Sequence, residues 1–422
     1  MTRHRTQLVL VAGILLAALA SGPAAADPGE LDPTYRNGGV SVVPFDGVSS
    51  LAQAMARMPD GGVVLAGQAG MGATELALAR LRLDGRPHKG FGSSGRVVAD
   101  SGSPDEFFDA VAVQGSRILA VENDDSGTPD ADLVVMAFRL DGAPDTSFGV
   151  GGTASVDFGG DDFGQAIAVD GKGRVLVAAI VYPPQGGPSA IGVVRLTPNG
   201  AVDPTFGNNG RRRVAFPDGF SFPTDIVVRP GGVAVAGVAS ISIGRKVAVA
   251  ALTPNGALDT SFSGDGRFTY GEDDERTEAF AIVRRQGELL VAGTQGEYGD
   301  TDGLVLRLTV DGELDPLFGD GGVTRVPFTP GEDVFEGIAV LPDGRLVAAG
   351  TTDDASGPPV IVRLTPGGDL DPTFGQGGVS TLPEFAFIED VVVDGTGRPV
   401  VAGAAEDSNV APFNMAAARF LV

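Results

Sequence analysis

The sequence contains no cysteine and no tryptophan, and it has only two histidines and four tyrosines among 422 residues. Without cysteine the chain cannot form a disulfide, a thiolate nucleophile or a cysteine-ligated metal site. His4 lies near the start, so His88 is the single imidazole of the remainder, and neither a Ser–His–Asp triad nor a histidine-rich zinc site is expected. The lack of tryptophan also weakens a sugar-stacking role. Carboxylate chemistry stays open, because aspartate and glutamate total 54.

Positive charge is scarce. The chain has 30 lysines and arginines against 54 acids, which gives a formal charge of −24. Residues 1–26 carry two arginines and no acid, so the remainder carries −26, which is −24 minus 2. Because phosphates are bound through lysine and arginine, nucleic acid and anionic membrane are not expected partners. The charge is compatible with a protein or small-molecule ligand, and we expect a monomer.

Residues 1–26 have the features of a secretory signal peptide. Two arginines near the start precede an apolar run over residues 8–20, and three alanines at 24–26 offer an A-x-A cleavage site. The run is short for a membrane span, and no later run approaches the roughly eighteen apolar residues that a spanning helix needs. The sequence therefore predicts a signal peptide, a secreted or periplasmic location, and one domain over residues 27–422.

One nine-residue stretch occurs seven times, and its clearest copy, residues 202–210, reads V-D-P-T-F-G-N-N-G. The aspartate opens a turn by binding backbone N–H groups, the proline fixes φ, and the glycines allow positive φ or close backbone approach. The aromatic is the one large apolar group, so we expect it to be buried between repeats. A spacing of 56 to 58 residues indicates one stacked supersecondary unit. The seven aromatics are Tyr35, Phe91, Phe148, Phe206, Phe262, Phe318 and Phe374.

Each repeat predicts four short antiparallel strands. In the sixth repeat, residues 336–340, 345–350, 359–364 and 379–382 have the pattern of strands, and P-D-G at 342–344 is a tight-turn signal. No sustained helical periodicity is present. Four strands per unit is typical of a β-propeller blade, and the alanines and glycines of the first strands suit a crowded central channel. The sequence predicts an all-β, seven-bladed β-propeller; a solenoid is the main rival.

The two ends of the repeat array are complementary. The last repeat stops just after Arg419 without a fourth strand, whereas the first turn, which contains Asp32, is followed by a strand at 40–44 with no repeat before it. We therefore expect residues 31–45 to complete the last blade and close the ring, which would remove an open sheet edge. Arg419 should then lie near Asp32.

The repeat resembles that of a known family. The pattern L-D-x-x-F-G-x-x-G, matched at 370–378, is followed by a hairpin like that at 343–350, and it looks like the delta-60 repeat of secreted bacterial proteins. The resemblance covers about residues 31–422 and implies a presumed propeller fold and no established activity. Three departures stand out: Arg36 and Ser263 replace the glycine after the aromatic, and Pro87-His88 replaces the Leu-Asp pair.

An acid or amide recurs where each innermost strand begins. In a propeller these segments gather at one mouth of the channel, so they form a candidate binding surface; the alternative is that each is separately solvated. No cofactor is expected, but oxygen-only ligands without histidine or cysteine would suit a hard ion such as calcium. The seven candidates are Gln53, Asp109, Gln165, Asp225, Glu278, Glu336 and Glu389.

Two functions stay open at this stage. One is an exported, non-enzymatic propeller that binds a partner or acts as a scaffold through its acidic channel mouth, and this interpretation is favoured. The other is an enzyme that uses carboxylates, or a bound divalent metal, on a sugar or lactone. An enzyme needs two or three carboxylates converging in one pocket, whereas a binding surface can spread them around a wide opening.

Overall fold

The computed structural model describes residues 27–71, 73–99, 106–124, 131–217, 219–240, 244–352, 357–407 and 411–422. The predicted signal peptide lies outside these ranges. In the described part of the chain, no helix has both the length and the hydropathy to cross a membrane. Within these ranges, apart from one helical turn, the regular structure is β-strand, and the strands pair antiparallel except at one contact described below.

The strands follow one another along the chain as short antiparallel sheets, each with a long inner hairpin and a short outer strand. In chain order the elements are α1 (Arg36–Gly39), β1 (Val40–Val43), β2 (Ser49–Arg57), β3 (Val63–Met71), β4 (Ala73–Leu81), β5 (Arg96–Ala99), β6 (Glu106–Gln114), β7 (Arg117–Asp124), β8 (Leu133–Arg139), β9 (Thr153–Val156), β10 (Asp162–Val169), β11 (Val175–Val181), β12 (Ala190–Leu196), β13 (Arg211–Val214), β14 (Phe220–Arg229), β15 (Gly232–Ser240), β16 (Arg245–Leu252), β17 (Arg267–Tyr270), β18 (Arg276–Arg285), β19 (Glu288–Glu297), β20 (Asp300–Leu308), β21 (Val323–Val326), β22 (Asp333–Val340), β23 (Leu346–Thr352), β24 (Val360–Leu364), β25 (Val379–Thr381), β26 (Phe385–Val393), β27 (Pro399–Asp407) and β28 (Ala411–Arg419).

The predicted count of seven four-stranded blades is wrong. Among the described residues there are five separate four-stranded sheets, while β14 to β21 form one continuous eight-stranded sheet. The join is a parallel contact between β16 and β18, at Arg245 and Arg276. Two arginines can meet there because the buried carboxylate of Glu278 binds both guanidiniums, with Arg276 Nε to Glu278 Oε2 at 2.8 Å. The sequence pattern did not indicate this ion cluster.

The inner strands enclose a central channel. Each of β2, β6, β10, β14, β18, β22 and β26 contacts the next along the chain, and β26 contacts β2. The hydrophobic core lies between the faces of neighbouring sheets. Leu119 and Val135 from one sheet, for example, pack with Val177 and Val194 from the next, all fully buried. This burial removes apolar surface from water and is the main stabilising contribution of such a fold.

The repeat aromatics are buried at these junctions, as predicted. All seven are at most 3% exposed, and Phe206 packs with Val233 and Val235 of β15. Gly256 of the following repeat, at φ +80°, lies against this ring, where a Cβ atom would come within 3.1 Å of Phe206 and 2.6 Å of Gly207 N. A glycine is therefore required at this turn both by its backbone conformation and by the close approach.

A recurring arrangement of arginine, aspartate and aromatic ring supports six of the seven described turns, all but that of Phe91. Arg195 Nε donates to Asp203 Oδ2 at 2.8 Å, its guanidinium carbon lies 4.8 Å from the Phe206 ring centre, and Nη1 donates to the Pro254 carbonyl of the next repeat. Where alanine replaces this arginine, another strand supplies one. Arg117 and Arg229 stack on the corresponding rings and bind the corresponding aspartates.

The N-terminal strand closes the ring. β1 pairs with β28 from Val40↔Ala418 to Val43↔Met415, so the strand pairing predicted between the two ends is present. Arg419 also forms an ion pair with Asp32, as predicted from the complementary ends of the repeat array. The last sheet therefore combines both ends of the described chain and leaves no gap at this position.

Candidate functional site: the central channel

Each inner strand carries a β-bulge at the channel wall. The pairing of every inner strand with its hairpin partner skips a residue, and β26 skips a second one, Ala386. One skipped residue of each inner strand lies outside the ladder and lines the channel. Bulges commonly re-aim a side chain in this way near functional sites. The skipped residues that line the channel, called bulge residues below, are Gln53, Asp109, Gln165, Thr224, Phe280, Glu336 and Glu389.

These bulges and their neighbours enclose one cavity of about 260 Å³. Six of the seven sequence candidates line it: Glu278 is absent, and Asp390 is an additional acid. None of the described residues that line the cavity is basic. Its acidic side chains are Asp109, Asp225, Glu336, Glu389 and Asp390.

Two of the sequence candidates do not occupy the position assigned to them. Asp225 follows the bulge residue Thr224, and Glu278 precedes the bulge residue Phe280 by two places and instead binds Arg245 and Arg276. A usable signal was present: five of the seven bulge residues lie eighteen positions after the preceding repeat aromatic. Candidates chosen by residue type instead of by this spacing include Asp225 and Glu278, and they omit Thr224 and Phe280.

Asp225 and Asp390 are equivalent and link neighbouring inner strands. Asp225 accepts hydrogen bonds from its neighbour Ile226 N and from Ile282 N on β18, both at 2.7 Å. Asp390 accepts from Val391 N at 2.6 Å and from Met55 N on β2 at 2.8 Å, across the ring closure. Burial raises the pKa of Asp225 to about 7 and that of Asp390 to about 6, although these N–H donors favour the ionised form.

Asp109 belongs to a hydrogen-bonded network with two amides. Its Oδ2 accepts from Asn123 Nδ2 and from Gln165 Nε2, the latter at 2.9 Å. Asn123 is buried and also donates to the Gly164 carbonyl at 2.6 Å. Burial raises the pKa of Asp109 to about 7, against the effect of the two amide donors.

Glu336 and Glu389 are the least constrained acids of the cavity. Burial, the charge of Glu389 and that of Glu278 raise the pKa of Glu336 to about 8. Burial and the neighbouring Asp390 raise the pKa of Glu389 to about 7. Both side chains keep some surface toward the cavity but are enclosed by protein on their other sides, which accounts for the cost of ionising them.

The remaining polar group is Gln53, whose Oε1 is fully covered and has no hydrogen-bond partner in the described structure. An unpaired buried acceptor is costly and would gain from a donor supplied by a ligand. Among the described residues, no three acids or histidines come close enough together to hold one metal ion. The carboxyl and amide groups that line the cavity can accept hydrogen bonds from N–H groups.

The family described as "Domain of unknown function (DUF5122) beta-propeller" matches residues 173–206, 287–318 and 341–374. Each matched stretch covers the second and third strands of a repeat and ends at its aromatic: Phe206, Phe318 or Phe374. No curated protein has a sequence that matches this chain. The matches and the fold together identify the chain as a β-propeller, without confirming the delta-60 name.

Solved structures with similar folds differ widely in sequence. A protein of unknown function from Dyadobacter fermentans DSM 18053 has 12% identity and a TM-score of 0.47, over 92% of this chain and 100% of its own. Chaetomium thermophilum Sqt1 bound to the N-terminus of the ribosomal protein L10 has 13% identity and 0.46, over 91% and 99%. A glucose dehydrogenase has 15% identity and 0.43, over 90% and 98%. Similarity this low supports no inference about the function of this β-propeller.

Proposed function

We propose that this propeller is a non-enzymatic binding module whose channel cavity takes an organic cation. The ligand would be a small amine or guanidine, or a single basic side chain of a partner protein. The observation that supports this best is the composition of the cavity: five carboxyl groups line it, and no described basic residue does. An ammonium or guanidinium group would form charge-assisted hydrogen bonds with these acceptors.

The electrostatics favour a ligand that arrives with its own positive charge. Burial, and after it repulsion from neighbouring acids, raises the pKa of Glu336 to about 8 and that of Glu389 to about 7, so both carboxyl groups are at least partly protonated at neutral pH. A bound cation would reverse this effect, because an opposite charge nearby favours the ionised carboxylate. Binding and proton release are therefore coupled in the proposal.

The size of the cavity limits what can enter. Its 260 Å³ lies below the roughly 300–1,000 Å³ typical of pockets for drug-sized ligands. One basic side chain or a small amine would suit this space better than an oligosaccharide. The covered Gln53 Oε1 would accept an N–H group of such a ligand.

A carboxylate- or metal-dependent enzyme acting on a sugar or lactone is the second candidate. The observation in its favour is Glu336, whose raised pKa of about 8 would keep it protonated as a general acid near neutral pH. Against it, Asp225 and Asp390 are occupied by backbone N–H groups, and Phe280 is the one aromatic among the described cavity residues. Independently of the choice between binding and catalysis, we propose that the protein is exported and that its repeats belong to the delta-60 family.

Calorimetric titration of the protein with agmatine, which carries both a guanidinium and an ammonium group, tests the binding function. We expect saturable one-to-one binding, and weakening by about tenfold or more in Glu336→Gln, which removes a charge-assisted acceptor. Glu313→Gln is the matched control, since Glu313 is exposed and outside the cavity. A neutral analogue of the same length that binds equally well would refute the proposal.

A further inference from the structure

Two departures from the repeat meet in one groove, although they are fifty residues apart in sequence. Arg36 stands where most repeats have glycine, and Pro87-His88 stands where they have a hydrophobic residue and aspartate. A cavity of about 720 Å³ lies between them, and it shares no lining residue with the channel cavity. Departures from an otherwise consistent pattern are expected at functional or strained positions. The groove is lined by Arg36, Arg82, Arg86, Pro87, His88, Lys89, Gly90 and Ser94.

Another carboxylate replaces the missing turn aspartate in part. In other repeats the turn aspartate binds the arginine that supports the aromatic ring, as Asp203 binds Arg195. Here Arg80 instead binds Asp60, with Nη2 to Oδ2 at 2.5 Å, and donates to the Leu140 carbonyl of the next sheet. Arg80 thus keeps a carboxylate partner, but its Nε, which would face the turn aspartate, has no partner in the described structure. His88 and Lys89 make the local charge of this turn more positive.

Arg36 likewise keeps the backbone contact of the glycine that it replaces. Its N–H donates to the Asp84 carbonyl at 3.0 Å, as Gly207 N donates to the Asn255 carbonyl in the repeat at 202–210. The chain accommodates the side chain by winding α1, with the positive φ shifted to Asn37. In the described structure the half-buried guanidinium of Arg36 has no hydrogen-bond or ion-pair partner, so its donors are available to a ligand.

The groove is strongly positive in an acidic protein. Arg82 and Arg86 share a single carboxylate, Asp84, at 2.9 and 3.2 Å, and both are well exposed. Lys89 is exposed and, among the described residues, has no ion-pair partner. The groove therefore has four positively charged side chains besides His88, and among the described residues the one acid paired with any of them is Asp84. His88 adds a covered Nδ1 that has no hydrogen-bond partner in the described structure, and this atom would gain from a polar ligand.

We infer that this groove binds a small anion that carries two or more phosphate groups. Three arginines present planar forks that fit phosphate oxygens two at a time, and a lysine adds a point charge. The overall charge of −24 argues for a compact ligand, since an extended polyanion would also meet the acidic remainder of the surface. The inference concerns a local site and leaves the expectation against nucleic acid in place.

Calorimetric titration of the full chain with pyrophosphate at constant ionic strength tests this inference. We expect one saturable site, weakened about tenfold or more by Arg36→Gly, which restores the glycine of the repeat, and by the pair Arg86→Gln and Lys89→Gln. Arg139→Gln is the matched control, because Arg139 precedes the equivalent turn of the next repeat and binds Asp141 there. Its affinity should stay within about twofold of the unmodified chain.

The variants also separate binding from folding. Arg86 and Lys89 are exposed, so their replacement should leave the melting temperature unchanged, and a loss of affinity would then come from the groove. No saturable heat with millimolar pyrophosphate, or an equal loss in Arg139→Gln, would overturn the site. Tighter binding of a duplex oligonucleotide through the same residues would overturn the choice of a small ligand.

Discussion

Arg419 donates from Nε to Asp32 Oδ2 at 2.8 Å, across 387 residues of sequence. Arg419 Nη1 also binds Asp394 Oδ2 at 3.0 Å, and all three side chains are at most 4% exposed. Its guanidinium carbon lies 4.8 Å from the centre of the Tyr35 ring. One arginine therefore holds both ends of the ring by the same contacts that support the internal repeats.

Removal of this arginine should destabilise the ring strongly. Arg419→Ala leaves Asp32 and Asp394 buried with less compensation, and breaking a buried ion pair costs about 3–5 kcal/mol. Urea denaturation measures the loss in the free energy of unfolding. Arg82→Ala is the control, because it removes an exposed pair with Asp84 that contributes about 0–1 kcal/mol. Equal effects of the two changes would contradict the closure.

The buried repeat aromatics should each contribute to the stability of a sheet junction. Phe206→Ala removes a ring that is 1% exposed and packs with Val233, and such a change costs about 3–5 kcal/mol. Phe220 is 49% exposed, so Phe220→Ala should cost less than about 1 kcal/mol and serves as the control. A comparison of denaturation midpoints at equal m-value decides between them.

Removal of either carboxylate that links inner strands, Asp225 or Asp390, should affect only the backbone amide that it binds on the neighbouring strand. Asp225→Ala leaves Ile282 N without its acceptor, at a cost of about 1–3 kcal/mol, while Asp390→Ala does the same to Met55 N. Hydrogen exchange resolved by residue should show faster exchange at Ile282 in the first variant and at Met55 in the second. Faster exchange at both amides in either variant would indicate general loosening instead.

The channel acids predict that stability falls as the pH rises toward neutrality. The pKa values of Asp109, Asp225, Glu336 and Glu389 are raised to about 7–8, so the folded protein binds more protons than the unfolded chain above about pH 4. Their contribution to stability is complete below that pH and is lost as the pH passes about 8. Glu336→Gln should flatten this limb in melting temperatures measured from pH 5 to 8.

At acidic pH, stability should change in the opposite direction and fall as the pH decreases. Burial would raise the pKa of Asp371, but hydrogen bonds from Thr373, Arg345 and Arg363 hold it well below its usual range. Its stabilising contribution is present above about pH 4 and is lost as the pH falls through the folded-state pKa. Maximum stability is therefore expected between about pH 4 and 6, and a maximum above pH 8 would contradict both assignments.

The sequence predicted the repeat, the strand order within each repeat and the burial of Phe206, because these depend on turn residues and a local apolar pattern. It did not predict that β16 and β18 join, since Arg245 of β16 meets Arg276 and Glu278 of β18 only through the tertiary packing of two segments. The channel was predicted in part. Gln53 and Glu336 were found by residue type, but Thr224 and Phe280 were missed because a bulge is defined by register.

Proton release on ligand binding would show that the channel binds a cation through carboxyl groups that are partly protonated without it, and calorimetry can count those protons. Agmatine is titrated into the protein at pH 7 in two buffers of different ionisation enthalpy, and the difference in heat gives the protons exchanged. We expect proton release on binding, and less of it when Glu336→Gln and Glu389→Gln are combined. Binding without proton release, or no binding at all, would contradict this expectation.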